Sequence, residues 1–377
     1  MVDIRAVKSK SDLKTFMKLP EKIYANDPCW VPPLMPELKK HLSPKHNPFF
    51  DNGEAALFVA WRGIEPVGRI SAHVDMTHNE LHNEKTGFFG FFESIDDSEV
   101  SDALFATAED WLKNRGMERM RGPHSFTINQ ISGILIEGFD TPPYIEMAHN
   151  LPYYPALCDA AGLEKVKDLF AWRYDASIDP NEGVQMIADQ VAQHPGLVVR
   201  EVRMDHFEED LRIIMDIFNE AWVKNWGFVP MSDREVKKLA EEMKLVLDPR
   251  MAFIAEVDGE PAAISFTIPN INQALLRARG KSTPLMYAQL LWDLKVKKNI
   301  SQARLMVLGV RKKFRGSVLG GLSVLLYCKT HWVGQSLGVK EAELSWTLDD
   351  NEKINSGIMM MGGERYKVYR MYEKALS

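Results

Sequence analysis

Residues 308–322 read LGVRKKFRGSVLGGL, a strand end, a basic turn and a helix start in immediate succession. Arg311, Lys312, Lys313 and Arg315 stand directly before Gly316, Ser317 and the pair Gly320–Gly321. The apolar run Leu305 to Val310 leads in as a strand, and Leu319 to Thr330 leads out as a helix. This order is suited to holding a diphosphate. The unpaired N–H groups of a first helical turn and the positive end of its dipole face an anion together. The expected ligand is a cofactor that carries a polyphosphate.

The rest of the chain narrows the class. Its 377 residues have room for two domains, and 45% apolar content is that of a globular protein. The formal net charge of −6 argues against a broad nucleic-acid footprint, because the basic residues form only the local cluster at 311–315. Cys29, Cys158 and Cys328 share no spacing that suggests a disulfide framework or a zinc site, which fits a reducing, cytoplasmic setting. The start, MVDIRAVKSKSDLK, has no signal-like apolar run, and no stretch approaches the roughly 20 apolar residues of a membrane span.

The pattern occurs twice. Arg5 in DIRAV matches Arg200 in VVREV, and Phe58 in LFVAWRGIEPVGRIS matches Phe253 in AFIAEVDGEPAAIS, both 195 positions apart. The second pair lies in segments that alternate around a Gly- and Glu-Pro-containing turn, the mark of a β-hairpin. Gly162 and Gly362 each follow a helical run and precede a final strand, where a C-terminal glycine cap belongs. The expected organisation is two copies of one α/β module, 1–176 and 197–377, with a linker at about 177–196. In the first copy the turn is FFGFFESIDDSEVSDALF, with Asp96, Asp97 and Glu99 at the helix start and Asp97 or Ser98 as cap. Carboxylates there repel a diphosphate. Only the second copy is expected to hold the cofactor.

Hairpin, basic turn, helix, strand, helix and last strand resemble the GNAT superfamily of acyl-CoA N-acyltransferases. The register Arg315, Gly316, Ser317, Val318, Leu319, Gly320 is similar to that family's Arg/Gln-x-x-Gly-x-Gly/Ala turn, with Val318 in place of the middle glycine. Asn351 and Gly362 fit the downstream pattern, while the family's frequent helix tyrosine falls on Ile358. Across the whole chain, DPCWVPPL (27–34), HNPFFDNGEAALFVAW (46–61), NEKTGFFGFF (83–92), GFDTPPYIEMAHNLPYYPAL (138–157) and NWGFVPMSDREVKKL (225–239) resemble the bacterial ceramide-synthase-like tandem GNAT proteins. The resemblance implies an α/β fold of mixed sheet in three α/β/α layers. It also implies CoA or acyl-CoA as co-substrate without a metal, and a small-molecule or lipid amine, of sphingoid type or another, as acceptor. It further implies that the backbone near Leu308 and Val310 polarises the thioester carbonyl. Arg311, Lys312, Arg315, Gly316, Ser317, Val318, Leu319, Gly320, Gly321 and Asn351 would then line the cofactor.

The strand VKEAELSWTL (339–348) alternates Ala342, Leu344, Trp346, Leu348 with Glu341, Glu343, Ser345, Thr347. A polar face on a strand flanked by helices suggests a cleft, which makes Glu343 the expected base for the acceptor ammonium. With Ile358 unable to protonate a thiolate, Tyr366, Tyr369 and Tyr372 are the substitutes, and Tyr366 is taken as the acid. The insertion 280–299 reads as a capped helix starting at Pro284, with Tyr287, Leu290, Leu291 and Leu294 on one apolar face. With Trp292, Lys295, Lys297 and Lys298, residues 284–298 give a core helix, a lid over a long acyl chain or a peripheral membrane contact. His73, His78 and His82 lack a zinc-protease pattern, and no metal is expected. His124, Asn129 and Asp140 line an acceptor pocket or tie loops. Two other readings stay open: a CoA-binding pseudoenzyme, favoured by Val318 and Ile358, and a transferase of the tandem-GNAT type using charged tRNA.

Overall fold

The computed structural model describes residues 1–278, 283–294 and 299–376, with the side chains of Ala278, Pro284, Ser317 and Val318 left out. The strands in chain order are β1 (Asp3–Ala6), β2 (Gly53–Arg62), β3 (Glu65–Asp75), β4 (Thr86–Ser94), β5 (Arg119–Gly122), β6 (His124–Ser125), β7 (Thr127–Ser132), β8 (Ile134–Glu137), β9 (Glu164–Asp175), β10 (Leu197–Glu201), β11 (Ala252–Val257), β12 (Glu260–Pro269), β13 (Gln302–Val310), β14 (Glu341–Leu348) and β15 (Glu364–Ala375). The helices are α1 (Lys10–Ile23), α2 (Met35–His41), α3 (Met76–His82), α4 (Ser98–Lys113), α5 (Tyr154–Ala160), α6 (Glu182–Ala192), α7 (Phe207–Trp222), α8 (Asp233–Val246), α9 (Asn272–Ala278), α10 (Pro284–Trp292), α11 (Leu322–Ser336) and α12 (Glu352–Met360).

The chain forms two compact units, mainly Met1–Leu169 with Lys367–Ser377, and Phe170–Arg277 with Thr283–Tyr366. In the first, the order β1-β2-β3-β4-β5 is antiparallel except for the parallel pair β4–β5. In the second, β10-β11-β12-β13-β14 repeats that order, again with one parallel pair, β13–β14. The repeat extends to register: Arg5 faces Val59 and Arg200 faces Ile254. Gly162 and Gly362 both take left-handed φ, at 77° and 93°.

Helix faces follow the sequence period. Val100, Leu104, Phe105, Ala108 and Leu112 of α4 are buried at helical spacing, and α4 packs on β3. Strand β3 is buried almost throughout, as a central strand covered on both faces must be. In the second unit, α7 buries Phe207, Leu211, Ile214 and Met215. Its start is tied down by Asp210, fully buried, which accepts from Arg200 at 2.9 Å and Arg203 at 2.7 Å. Burial pushes the Asp210 carboxyl up, but the two guanidinium groups outweigh it and bring its pKa to about 2.

The unit boundaries differ from the expected 1–176 and 197–377. Trp172 and Tyr174 of β9 belong to the second unit, where Trp172 Nε1 donates to Thr347 at 2.9 Å and Tyr174 meets His331 at 2.8 Å. The end of β15 belongs to the first unit, with Tyr372 opposite Gly122 and Arg370 Nε donating to Asp168 at 2.9 Å. Each unit thus takes a strand segment from the other half of the sequence. The expected linker, 177–196, carries α6, which packs on α11.

Candidate functional site

The site is built where β13 changes partners. Against β12, Phe266 faces Val307 and Thr267 faces Leu305, so Met306 is an extra residue in β13. Such a bulge bends its strand and ends regular pairing. On the other side, β13 pairs with β14 from Gln302↔Glu341 only to Leu305↔Leu344. Both strands run on, to Val310 and Leu348, after their shared register stops. The result is a wedge between two parallel strands. The bulge was invisible in the sequence, since an extra residue shows only against a partner strand.

Glu343 lies at the root of this wedge and is wholly buried. Its Oε1 accepts from the Ser345 hydroxyl at 2.5 Å, and its Oε2 accepts from the Tyr366 hydroxyl. Ser345 in turn accepts from Arg304 Nε at 2.9 Å, and that Nε is 3.8 Å from Glu343 Oε1. The two residues expected to do chemistry, Glu343 and Tyr366, are therefore in direct contact. Sequence reasoning missed Arg304, and placed Ser345 on the polar face of its strand without giving it a partner. A cation inside the apolar strand QARLMVLGV, opposite Glu343 in register, was the available signal. Thr347 does not join this cluster: it donates to Asn355 at 2.7 Å and accepts from Trp172.

The basic turn differs from expectation in detail. The helix starts at Leu322, not Leu319, after short 3₁₀ turns at Lys312–Phe314 and Ser317–Gly321. Its cap residue, Gly321, offers no side chain to the first turn. Arg311 donates to Glu220 at 2.7 Å and to the Pro261 carbonyl at 2.9 Å. Lys313 pairs with Glu260. Arg315 is exposed, with Nε donating to the Val310 carbonyl at 2.9 Å, and Lys312 is exposed as well. Gly316 has open space around the position of a Cβ, while one at Gly321 would lie 2.7 Å from Val191 of α6. Gly321 thus lets α6 approach. Val310 and Leu319 pack with Leu322 and Leu326, and Leu308 packs toward Leu305, Leu344 and Trp172. The side chains of Ser317 and Val318 lie outside the described residues.

Asn351 caps α12, its Oδ1 accepting from Ile354 N at 3.4 Å. Ile358 is buried with Trp172, Leu305 and Leu344. Tyr369 and Tyr372 are fully buried in the first unit. Helix α10 is capped by Thr283 and buries Met286 and Leu290, but Leu291 and Trp292 face solvent, so the expected single face is divided. Lys295, Lys297 and Lys298 lie outside the described residues.

The first unit closes the equivalent wedge with its own chain. Strand β4 also carries one extra residue against β3, and it pairs with β5 only to Phe88↔Arg121. The next residues of the chain then turn onto β4: a Cβ at Gly90 would sit 1.7 Å from the His124 carbonyl oxygen. Phe126 follows, packed on Phe91 and stacked on Phe49 at 4.9 Å between centroids. The helix start beyond is capped by Asp97, and Arg62 pairs with Asp97 and Glu99 at 2.9 Å. His124 is buried and meets Ser132 at 2.8 Å, a tie within the β6–β7 hairpin. Among the described residues no cluster of His, Cys, Asp and Glu is arranged to hold a metal.

No family model matches the chain. It is 39% identical over 372 residues to the bacterial ceramide synthase of Caulobacter vibrioides, covering 98% of this chain and 96% of that protein. It is 38% identical over 377 residues to protein YghO of Escherichia coli, covering 99% and 95%. A tandem GNAT protein from the clavulanic acid biosynthesis pathway is similar over 100% of this chain and 99% of that one, with a TM-score of 0.58 at 14% identity. A GCN5-related N-acetyltransferase from Sphaerobacter thermophilus is similar over 100% and 96%, with a TM-score of 0.55 at 14% identity. The expected α/β fold of tandem GNAT type is the one observed. Among the described residues no helix is long and apolar enough to cross a membrane.

Proposed function

The chain belongs to the family of the Caulobacter vibrioides bacterial ceramide synthase, and on that premise we propose that it transfers an acyl group from acyl-CoA to an amine. The relative's name makes a long-chain, sphingoid-type amine the acceptor of choice. The observation that carries the reading is the wedge between β13 and β14 with the Glu343–Tyr366 contact at its root. Parted strands offer backbone groups to an extended ligand, as a sheet edge does. Beyond the bulge, the N–H groups of β13 are suited to polarising a thioester carbonyl.

The mouth of the wedge suits a diphosphate. Gly321 leaves the start of α11 without side-chain capping, and the exposed Arg315 and Lys312 lie beside it. In our reading Arg311 and Lys313 hold the turn, and Arg315 and Lys312 meet the phosphates. The first unit, with its wedge filled and its helix start acidic, serves no cofactor.

Glu343 has no solvent exposure and both its oxygens already accept hydrogen bonds, so it acts through Tyr366. The acceptor ammonium gives a proton to the Tyr366 oxygen as the Tyr366 proton passes to Glu343. The freed amine attacks the thioester carbon, the C–S bond breaks as the tetrahedral adduct collapses, and the amine's second proton goes to the departing thiolate. Arg304 and Ser345 hold the carboxylate in place. Mass spectrometry of the protein incubated with acyl-CoA esters and a panel of amines, long-chain amino alcohols included, tests the proposal. An N-acyl product with equimolar free CoA supports it; no thiol release with any donor rejects it.

A further inference from the structure

We propose that Thr347 and Asn355 are positioning residues that hold the wedge open, by tying the parted half of β14 to β9 and α12. This rests on the acyl-transfer reading above and deepens it, because the thioester would lie where the two strands part. Parallel strands whose facing N–H and C=O groups are free pair along their whole length unless something holds them apart. Strands β13 and β14 stop pairing at Leu305 and Leu344, although both continue. The bulge at Met306 bends β13 away. Strand β14 is held from its other edge, where β9 is its neighbour.

The bonds form one directed chain. Trp172 of β9 donates from Nε1 to Thr347 Oγ1 at 2.9 Å, and Thr347 donates to Asn355 Oδ1 at 2.7 Å. Asn355 Nδ2 then donates to the Leu348 carbonyl at 3.0 Å. Chemistry allows only this direction. An indole N–H can only donate, so the Thr347 oxygen accepts, and its single proton goes to the amide oxygen of Asn355. The amide nitrogen is left to face the backbone. Trp172 and Asn355 are 4% and 7% exposed, so water cannot readily replace a lost partner. Trp172 also packs with Leu344, the last paired residue of β14, and with Ile358, about one turn beyond Asn355 in α12. The hydrogen-bond chain thus takes hold just where strand pairing ends. A buried network with every member satisfied fixes one arrangement. The path of β14 is therefore set before a ligand enters, and a thioester lying along it meets the Glu343–Tyr366 pair in one geometry.

The test compares three variants of the full chain. Thr347→Val keeps the shape and loses the hydroxyl, Thr347→Ser keeps the hydroxyl, and Asn355→Asp as a carboxylate cannot donate to Leu348. Each is read by hydrogen exchange over 344–351 without ligand, by calorimetry with CoA, and by thiol release. The donors are acetyl-, octanoyl- and palmitoyl-CoA, with a long-chain amino alcohol as acceptor. Thr347→Val and Asn355→Asp are expected to speed exchange at 346–349 by about tenfold or more. They are expected to lower kcat by about tenfold or more while the Kd for CoA stays within about threefold, because the phosphate grip is untouched. Thr347→Ser is expected to stay within about threefold of the wild type in all three readouts. Wild-type exchange or wild-type kcat in Thr347→Val, or a Thr347→Ser as slow as Thr347→Val, overturns the positioning role and leaves the acyl-transfer reading standing. Equal losses of kcat and of CoA affinity also overturn it, since they mark a general loss of structure. If Thr347→Val does not fold, Asn355→Asp decides by the same readouts. A wild type that releases no thiol from any ester overturns both readings.

Discussion

The hydroxyl of Tyr366 donates to Oε2 of Glu343, whose other oxygen is held by Ser345 at 2.5 Å. Tyr366 is the half-buried member of the pair and Glu343 is sealed from solvent. A base sealed in this way works only through its neighbour, so the two residues should fail alike. Glu343→Gln and Tyr366→Phe are each predicted to lower kcat by about 100-fold, with KM for acyl-CoA changed less than about threefold. Steady-state kinetics of both variants checks this; a Tyr366→Phe enzyme at full rate leaves Glu343 without a route to the acceptor.

Arg315 and Arg311 lie four positions apart but have different tasks. Arg315→Glu is predicted to weaken CoA binding by about tenfold or more in calorimetry, because it reverses an exposed charge at the proposed phosphate site. Arg311→Ala removes the bonds to Glu220 and the Pro261 carbonyl, and is predicted to cost about 1 kcal/mol of stability with little change in CoA affinity. Equal loss of affinity in both variants contradicts this division.

Acid should destabilise the first unit. Burial lowers the pKa of His73 to about 3 and, with His82 adding a smaller push, that of His78 to about 4. An unfolded histidine titrates near 6.5, so between that value and the lowered one the unfolded chain binds more protons. The stabilisation is complete above pH 6.5 and falls as the pH drops toward 4. At pH 5, His73 alone accounts for a loss of about 2 kcal/mol. Thermal melts at pH 7 and pH 5 measure it, and replacing His73 by Phe is predicted to flatten the dependence.

Neither half of the sequence should fold alone. A fragment 197–377 lacks Trp172 and Tyr174, which pack and bond within the second unit, and keeps a β15 whose end pairs with β5. It is predicted to lack the dispersed amide spectrum of a folded protein. Adding residues 170–196 is predicted to restore part of it.

The sequence revealed the fold through its repetition, because Arg5 and Arg200, and Phe58 and Phe253, keep one offset that the strand register reproduces. The cap at Asp97 and the acidic turn of the first unit were also readable, since capping depends on neighbours in the chain. Features that depend on a distant partner were not. The bulge at Met306 exists only against β12, and the exchange of β9 and β15 depends on which sheet edge each strand meets. The pairing of Arg311 with Glu220 was likewise hidden, because the two lie 91 positions apart. Glu343 and Tyr366 were found as separate candidates, from a polar face and from a list of tyrosines; their contact needed the fold.

Hydrogen exchange read by mass spectrometry, with and without a CoA thioester, asks directly which wedge holds the cofactor. The account predicts slowed exchange at Met306–Val310 and at Arg315–Val324, and none at Phe88–Ser94. Protection in the β4 segment, or no protection in either segment at saturating ligand, would contradict it.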